Sequence, residues 1–281
     1  MRKDIQMVFQ GPYASLNPRK TIKQILLESL EVHGIGTSKE RLETIEEIIE
    51  VVGLKREHLH RHTHDFSGGQ RQRIGIARAL VLKPKLIIAD KPVSALDVSI
   101  QSEILNLLKD LKKEFDLTLL FISHDLSVVK YLCDRVAVMY LGRIVEIADK
   151  RKLFEALSHP YTQALLSAVP KADPKAKRER IILTGDLPSP VNPPSGCIFH
   201  PRRRYATEAC KTTVPVLEES GEGHMVFLPS SSRGAQHGLS KLAWEKSIAA
   251  SSGKEVFKWK CGSCFLLSFG SAFLDMAADQ P

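Results

Sequence analysis

Two short apolar runs, KLIIAD at 85–90 and LTLLFIS at 117–123, constrain this chain more than any other feature. Neither alternates with polar residues, so each reads as a strand buried on both sides rather than one with a wet face. Between them lies VSIQSEILNLLKDLKKEF, 98–115, which is apolar at helical spacing. Strand, helix and strand in that order predict a parallel βαβ unit within a sheet covered on both faces. The class expected is therefore α/β.

The rest of the chain extends this pattern. IQMVFQ, 5–10, reads as a strand that breaks into the Gly/Pro/Asn loop GPYASLNPRK. Two amphipathic helices are expected at 21–33 and 38–53, the second opening at Ser38 with glutamates in its first turns. In SGGQRQRIGIARALVLKP, Ser67 is placed to cap a helix, and Ile74, Ala77, Leu80 and Val81 line one face of it. DLSVVKYLC predicts a short helix, and DRVAVMYLGRIVEIA two strands about a tight Leu141-Gly142 turn. HPYTQALLSAVP predicts a further helix, whereas LPSPVNPPSG is too proline-rich for regular structure. After about residue 228 the chain becomes Ser-rich and holds both tryptophans. That tail is expected to be unrelated to the rest or disordered.

No apolar run approaches the roughly 18–20 residues that span a bilayer, and MRKDIQMVFQ is not a signal peptide. A cytoplasmic protein is expected, reaching a membrane only through partners. The net charge of +8 comes mostly from scattered residues without interleaved aromatics, so no nucleic-acid partner is expected. Five cysteines, an odd number, do not form a disulfide framework.

The chemistry starts at FSGGQRQRIGIARAL. Ser67, Gly68, Gly69 and Gln70 at a helix start offer a hydroxyl and bare backbone N–H groups beside the positive end of the dipole, which suits an anion. The whole string resembles the signature of the ATP-binding-cassette (ABC) ATPases, followed at the family's distances by LIIAD, SALD and SHD. The resemblance covers most of 1–228. It implies a partial P-loop nucleotide-binding domain, with a parallel-sheet core, a helical signature subdomain and a short C-terminal extension. It also implies ATP and Mg²⁺ as ligands. By position it makes Gln10 a metal contact that senses a membrane partner, and residues 67–70 the grip on ATP held by an opposite subunit. Asp90 becomes a Mg²⁺ ligand, Asp97 the acid at the dimer seam, and His124 the histidine that reaches the γ-phosphate.

QGPYASLNPR, MYLGRIVEIA, HPYTQALLSAVP and LPSPVNPPSGCIFHPR further resemble the ATP-binding subunits of oligopeptide and dipeptide permeases. This implies a second ATPase subunit, identical or homologous, and transmembrane permease subunits as partners, with a peptide-binding protein acting indirectly. It also implies a peripheral position on the inner face of the plasma membrane. Segments of 1–157, 158–228 and 229–281 follow as partial ATPase domain, permease-type extension and tail. An ABC ATPase of DNA repair or translation is the rival that the basic charge suggests, but such proteins generally lack the last two segments.

The family's pattern is broken in places. No G-x-x-x-x-G-K-[ST] phosphate cradle occurs, the one Gly-Lys pair being Gly253-Lys254. Because Gln10 normally follows that cradle, the chain is expected to be truncated at its N-terminus. Lys91 stands where the family has the glutamate that polarises the attacking water. An ammonium has no acceptor lone pair, and a lysine's ordinary pKa of about 10.4 rules out base catalysis near neutrality. This chain is therefore expected to be impaired in hydrolysis, or to lend its signature in trans to a partner ATPase. Gly11 for Asp, His62 for Tyr, Thr63 for Pro, and Arg203 and Arg204 for Cys and Pro depart likewise. Each is one nucleotide change away, as in a decayed reading frame.

Weaker signals remain. His58, His60, His62 and His64 alternate in HLHRHTH and on a strand would face one way, as metal ligands could. They precede the signature helix, and a solvated loop is the simpler reading. Cys197 and Cys210 sit where some permease ATPases place iron–sulfur ligands, but the third and fourth positions are Arg203 and Leu228, so no cluster is expected. KCGSCF is a lone C-x-x-C, and Cys133 reads as core.

Overall fold

The computed structural model describes residues 2–11, 15–155, 158–169, 180–221, 223–227 and 265–267. The chain divides into two compact units, one built from Met1–His124 with Gly262–Phe265 and the other from Asp125–Cys261 with Leu266–Pro281. Both strands of DRVAVMYLGRIVEIA lie in the second unit, although family resemblance groups them with the first segment.

In the first unit, β1 (Ile5–Val8), β2 (Leu86–Asp90) and β3 (Thr118–Ile122) form the expected parallel sheet. Ile5 pairs with Leu86, and Leu86 with Thr118. β1 stops at Val8, short of the expected Gln10, and the chain turns away at Gly11, whose φ of +84° favours glycine. Four helices accompany the sheet: α1 (Ile22–Val32), α2 (Ser38–Val51), α3 (Gly68–Leu80) and α4 (Val98–Glu114). α2 does open at Ser38, but its cap is Thr37, in a reciprocal box with Glu40. Ile22, Leu26 and Leu30 of α1, Ile45, Ile48 and Ile49 of α2, and Ile74, Ala77 and Leu80 of α3 are buried. Each large side chain among them contributes about 1.5–3 kcal/mol on leaving water.

The two faces of this sheet are covered unequally. Val8, Ile87, Ala89, Leu119 and Phe121 are buried, and Leu108 and Leu111 of α4 share a small cleft with Ile87 and Leu119. On the alternate positions, Ile122 is buried, Met7, Leu86, Ile88 and Leu120 are half-buried and Ile5 is 37% exposed. Apolar composition alone does not say which face a helix reaches.

The second unit is built on an antiparallel sheet of order β4-β5-β7-β6: β4 (Arg135–Tyr140), β5 (Arg143–Asp149), β6 (Leu217–Gly221) and β7 (His224–Phe227). The β4–β5 turn is the expected Leu141-Gly142 pair, at φ +46° and +75°. α5 (Leu126–Leu132), α6 (Lys150–Glu155), α7 (Pro160–Ser167) and α8 (Glu208–Thr212) complete it. The segment 187–196 is irregular, as its prolines require. β6 was not foreseen, because LEESG has no apolar alternation and owes its strand form to pairing with β7. Of the tail, the described residues are Phe265–Leu267, which form β8. Gly253, Lys254, Leu228 and the KCGSCF cysteines lie outside the described residues. Among the described residues, no helix is long and apolar enough to cross a membrane.

Candidate functional site

Parallel strands gather their following residues along one edge, where ligands of open α/β sheets bind. Here Val8 pairs with Ala89, and Asp90 with Ile122. Gln10, Asp90, Lys91 and His124 therefore follow or end three neighbouring strands at the same edge. Gln10 and His124 are exposed, and Asp90 and Lys91 half-buried.

Lys91 is held by its backbone. Its N–H donates to the Ile122 carbonyl at 2.9 Å, extending the β2–β3 ladder, and its own carbonyl accepts from Ser94 N–H at 3.3 Å and Ser94 Oγ at 3.1 Å. These bonds keep a non-glycine residue at φ +43°, a conformation that costs of order 1–3 kcal/mol. Lys83 and Asp116 share positive φ but close helices, and Leu141 makes the hairpin turn. Lys91 instead sits on a strand end carrying candidate chemistry.

The second group lies at two adjacent helix starts. Ser67 caps α3: the Gln70 N–H donates to Ser67 Oγ at 3.4 Å, and the Ser67 N–H to Gln70 Oε1 at 3.1 Å. Each side chain thus accepts from the other residue's backbone N–H. Asp97 caps α4, its Oδ1 accepting from the Ile100 N–H at 3.0 Å. A Cβ on Gly69 would lie 2.4 Å from Ile100 Cγ2, and one on Gly68 3.6 Å from Leu96 Cδ2. Gly69 is therefore required by close approach to α4 as well as by an open helix start. Among the described residues, no hydrogen bond or ion pair joins this group to the strand-end group.

Two arginines that sequence reasoning passed over secure α3. Arg73 donates to the Val52 carbonyl at 2.8 Å and to Glu103 Oε2 at 2.9 Å, tying α3 to α2 and α4. Arg78 donates to the carbonyl of Ser15, in the loop after Gln10. Burial pulls its pKa below the ordinary arginine value, against the Glu28 charge. The signal was the repeat of arginines in QRQRIGIARAL, at positions that a fully solvated face would not need.

Mg²⁺ takes hard oxygen ligands and leaves much of its shell to phosphates and water. The Asp90 carboxylate and Gln10 amide at neighbouring strand ends are ligands of that kind, and they fit. Among the described residues, no three His, Cys, Asp or Glu side chains gather as a self-sufficient metal site.

The histidines of HLHRHTH do not lie on a strand. They occupy two short 3₁₀ turns, Arg56–His60 and Thr63–Asp65, and their neighbours. The His62 and His64 rings stack at 5.5 Å, and His58 meets Phe66 edge-on at 5.3 Å, so three of the four rings are in ring contacts. Cys133 is buried after α5, as expected of core. Cys197 and Cys210 are brought together in the second unit, where Arg203 donates to Cys210 Sγ at 3.5 Å.

The second unit also holds a buried lock that the sequence did not reveal. Glu146 of β5 is fully buried and accepts from the Ser158 N–H at 3.1 Å and the His159 N–H at 3.2 Å. His224 Nε2 of β7 lies 2.7 Å from Glu146 Oε1. His159, from the HPYTQ segment, caps α7 by accepting the Tyr161 N–H on Nδ1 at 3.2 Å.

Comparison with known proteins gives the chain's family. The "ABC transporter" family model matches residues 1–94, and the "Oligopeptide/dipeptide transporter, C-terminal region" model matches 145–210. A putative peptide import ATP-binding protein of Brucella ovis is 59% identical over 223 residues, covering 79% of this chain and 70% of its own length. The oligopeptide transport ATP-binding protein AppF of Bacillus subtilis is 56% identical, covering 80% of this chain and 69% of its own. The dipeptide transport ATP-binding protein DppF of Haemophilus influenzae is 54% identical, again with 80% and 69% covered. Among solved structures, cbiO1 of Clostridium perfringens, part of the ABC transporter complex cbiONQ, aligns with a TM-score of 0.49 at 30% identity. That alignment covers 55% of this chain and 61% of cbiO1.

Proposed function

Since the chain belongs to the ABC-transporter ATP-binding proteins of the oligopeptide and dipeptide import branch, we propose that it grips a triphosphate across a subunit seam and hydrolyses none itself. The observation that carries this reading is the start of α3. There the first N–H groups have no intrahelical acceptors, Gly69 brings no side chain, and among the described residues the Ser67 and Gln70 side chains accept only from each other's backbone N–H. A γ-phosphate arriving from a partner subunit would take hydrogen bonds from those N–H groups and from the Ser67 hydroxyl. The helix dipole favours its charge.

At the strand edge, Asp90 and Gln10 would hold Mg²⁺, which when bound neutralises phosphate charge. His124 can donate to a phosphate oxygen. Lys91 offers only donors, so it draws phosphate charge but cannot accept the proton of an attacking water. The residue held in strained geometry at this edge therefore favours a bound triphosphate over a cleaved one.

The partners follow from the same reading. They are a second ATP-binding subunit, two membrane permease subunits and a binding protein that delivers peptide, with this chain peripheral on the cytoplasmic face. The test is equilibrium binding of labelled ATP with Mg²⁺, together with phosphate release, for the purified chain alone and mixed with the second ATP-binding subunit of the importer. Binding and turnover should depend on the mixture, and Lys91→Glu should raise turnover in it. Ordinary turnover by the unmodified chain alone would overturn the reading.

A further inference from the structure

The second unit buries a sulfur cluster that nucleotide chemistry leaves unused. Cys197 and Cys210 are fully buried free thiols. The Cys197 N–H donates to the Cys210 carbonyl at 2.8 Å, and a Cβ on Gly196 would lie 2.6 Å from that same oxygen. With ordinary bond lengths and angles, a single N–H to carbonyl bond of that length keeps the two Cα atoms within about 6 Å of each other. That is within the range of roughly 4.4–6.8 Å that a disulfide spans.

The two sulfurs differ. Thr207 Oγ1 lies 3.3 Å from Cys210 Sγ, and Arg203, itself buried, donates to that sulfur at 3.5 Å. Burial pushes the Cys210 thiol up, but Thr207 and the Arg203 guanidinium outweigh it and hold the thiol below its ordinary range. Burial pushes Cys197 up, and there it prevails over the Phe199 N–H and the Arg203 charge. One member of the pair is thus inclined to the thiolate and the other keeps its proton, a division that suits attack followed by resolution.

Cys210 also lies under a thin cover. Residues 204–209 and 211–214 are all exposed, and α8 has five residues, a length that is marginal in water. A local opening of α8 admits a small reagent without global unfolding.

We propose that Cys210 is a peroxide-reactive cysteine and that Cys197 resolves its oxidised form as an intramolecular disulfide. The Cys210 thiolate attacks one peroxide oxygen, the O–O bond breaks, and hydroxide leaves a sulfenic acid on Cys210. The Cys197 sulfur then attacks Cys210 Sγ and displaces the sulfenic oxygen, which departs as water with the Cys197 proton. Two thiols and one hydrogen peroxide become one disulfide and two waters, and the peroxide takes up two electrons.

The test uses the whole reduced chain, freed of reductant, exposed briefly to hydrogen peroxide, alkylated and mapped by peptide mass spectrometry. The peptides holding Cys197 and Cys210 should appear linked and two hydrogens lighter, with Cys133 still open to alkylation after denaturation. Cys197→Ser should leave Cys210 as a sulfenic acid that dimedone traps, Cys210→Ser should leave Cys197 reduced, and Arg203→Gln should slow oxidation about tenfold. The unmodified chain decides the question even where a variant fails to fold. Cys197 and Cys210 both remaining alkylatable at a dose that oxidises free cysteine would overturn the proposal. So would a Cys210 linked to any other cysteine, or a Cys197 oxidised equally in Cys210→Ser.

Discussion

α3 and α7 each begin with the positive end of a helix dipole, and the protein treats the two ends in opposite ways. At α7 the protein supplies its own anion: the fully buried Glu146 carboxylate takes the Ser158 and His159 N–H groups and meets His224 besides. At α3 the cap is a neutral pair, exposed Ser67 and half-buried Gln70, closed by bonds of 3.4 and 3.1 Å. A helix start filled from inside is part of the framework. One closed only by a weak, local and uncharged box stays available to an anion from outside.

The largest effect expected from breaking this contrast is at the filled end. Glu146→Ala leaves two backbone N–H groups and His224 without their acceptor, at about 1–3 kcal/mol for each buried group left unsatisfied. Chemical denaturation should show that loss, with Glu146→Gln recovering part of it because its amide oxygen still accepts. An unchanged midpoint for Glu146→Ala would mean that α7 is fastened by something else.

Next in size is the open end itself. Gly69→Ala places a Cβ against Ile100 Cγ2 and should lower the turnover of a mixed assembly with a second ATP-binding subunit by about a hundredfold, on the scale of a lost transition-state donor. Adding Ile100→Ala relieves the contact and should return part of that turnover. A double variant no better than the single one would detach the α3–α4 contact from function.

The filled end also carries a pH signature. Burial, with help from the Arg203 charge, lowers the His159 pKa to about 3 from the ordinary value near 6.5. The unfolded chain then takes up the proton first as pH falls. The stability that His159 contributes is complete above pH 6.5 and declines below it, by roughly 1.4 kcal/mol per pH unit toward pH 3. Thermal melts of the unmodified chain and His159→Asn across pH 4–7 should diverge in that direction. Parallel curves would show that the imidazole accepts its proton without loss.

How much of this was legible in the sequence follows from the same contrast. The α3 start is written in consecutive residues, since Ser67, Gly68, Gly69 and Gln70 are capping residues whose chemistry is local. The strand edge was readable too, because parallel order turns three strand ends into one edge whatever the loops do. The α7 lock was not. His224 is brought to Glu146 by the pairing of β5 with β7, and His159 by a backbone bond across the chain, while β7's partner LEESG carries no strand pattern of its own. Likewise the uneven cover of the first sheet depends on where α4 packs, which the apolar run LIIA leaves undetermined.

The smallest expected effect sharpens the comparison most, because it makes one helix start resemble the other. Ser67→Ala removes the capping oxygen of α3 and should cost about 1 kcal/mol, seen as a small shift in denaturation midpoint. Ser67→Asp restores a cap and adds a carboxylate at the positive end, so stability should equal or slightly exceed that of the unmodified chain, by about 0.3–1 kcal/mol. It also places at α3 the charge that Glu146 already places at α7. If the α3 start receives phosphate, this better-capped helix should be the poorer partner, with ATP affinity of the mixed assembly falling at least tenfold. Should affinity and turnover survive Ser67→Asp while the helix gains stability, the open end of α3 would be a cap and nothing more, and the grip on triphosphate would have to lie elsewhere in the chain.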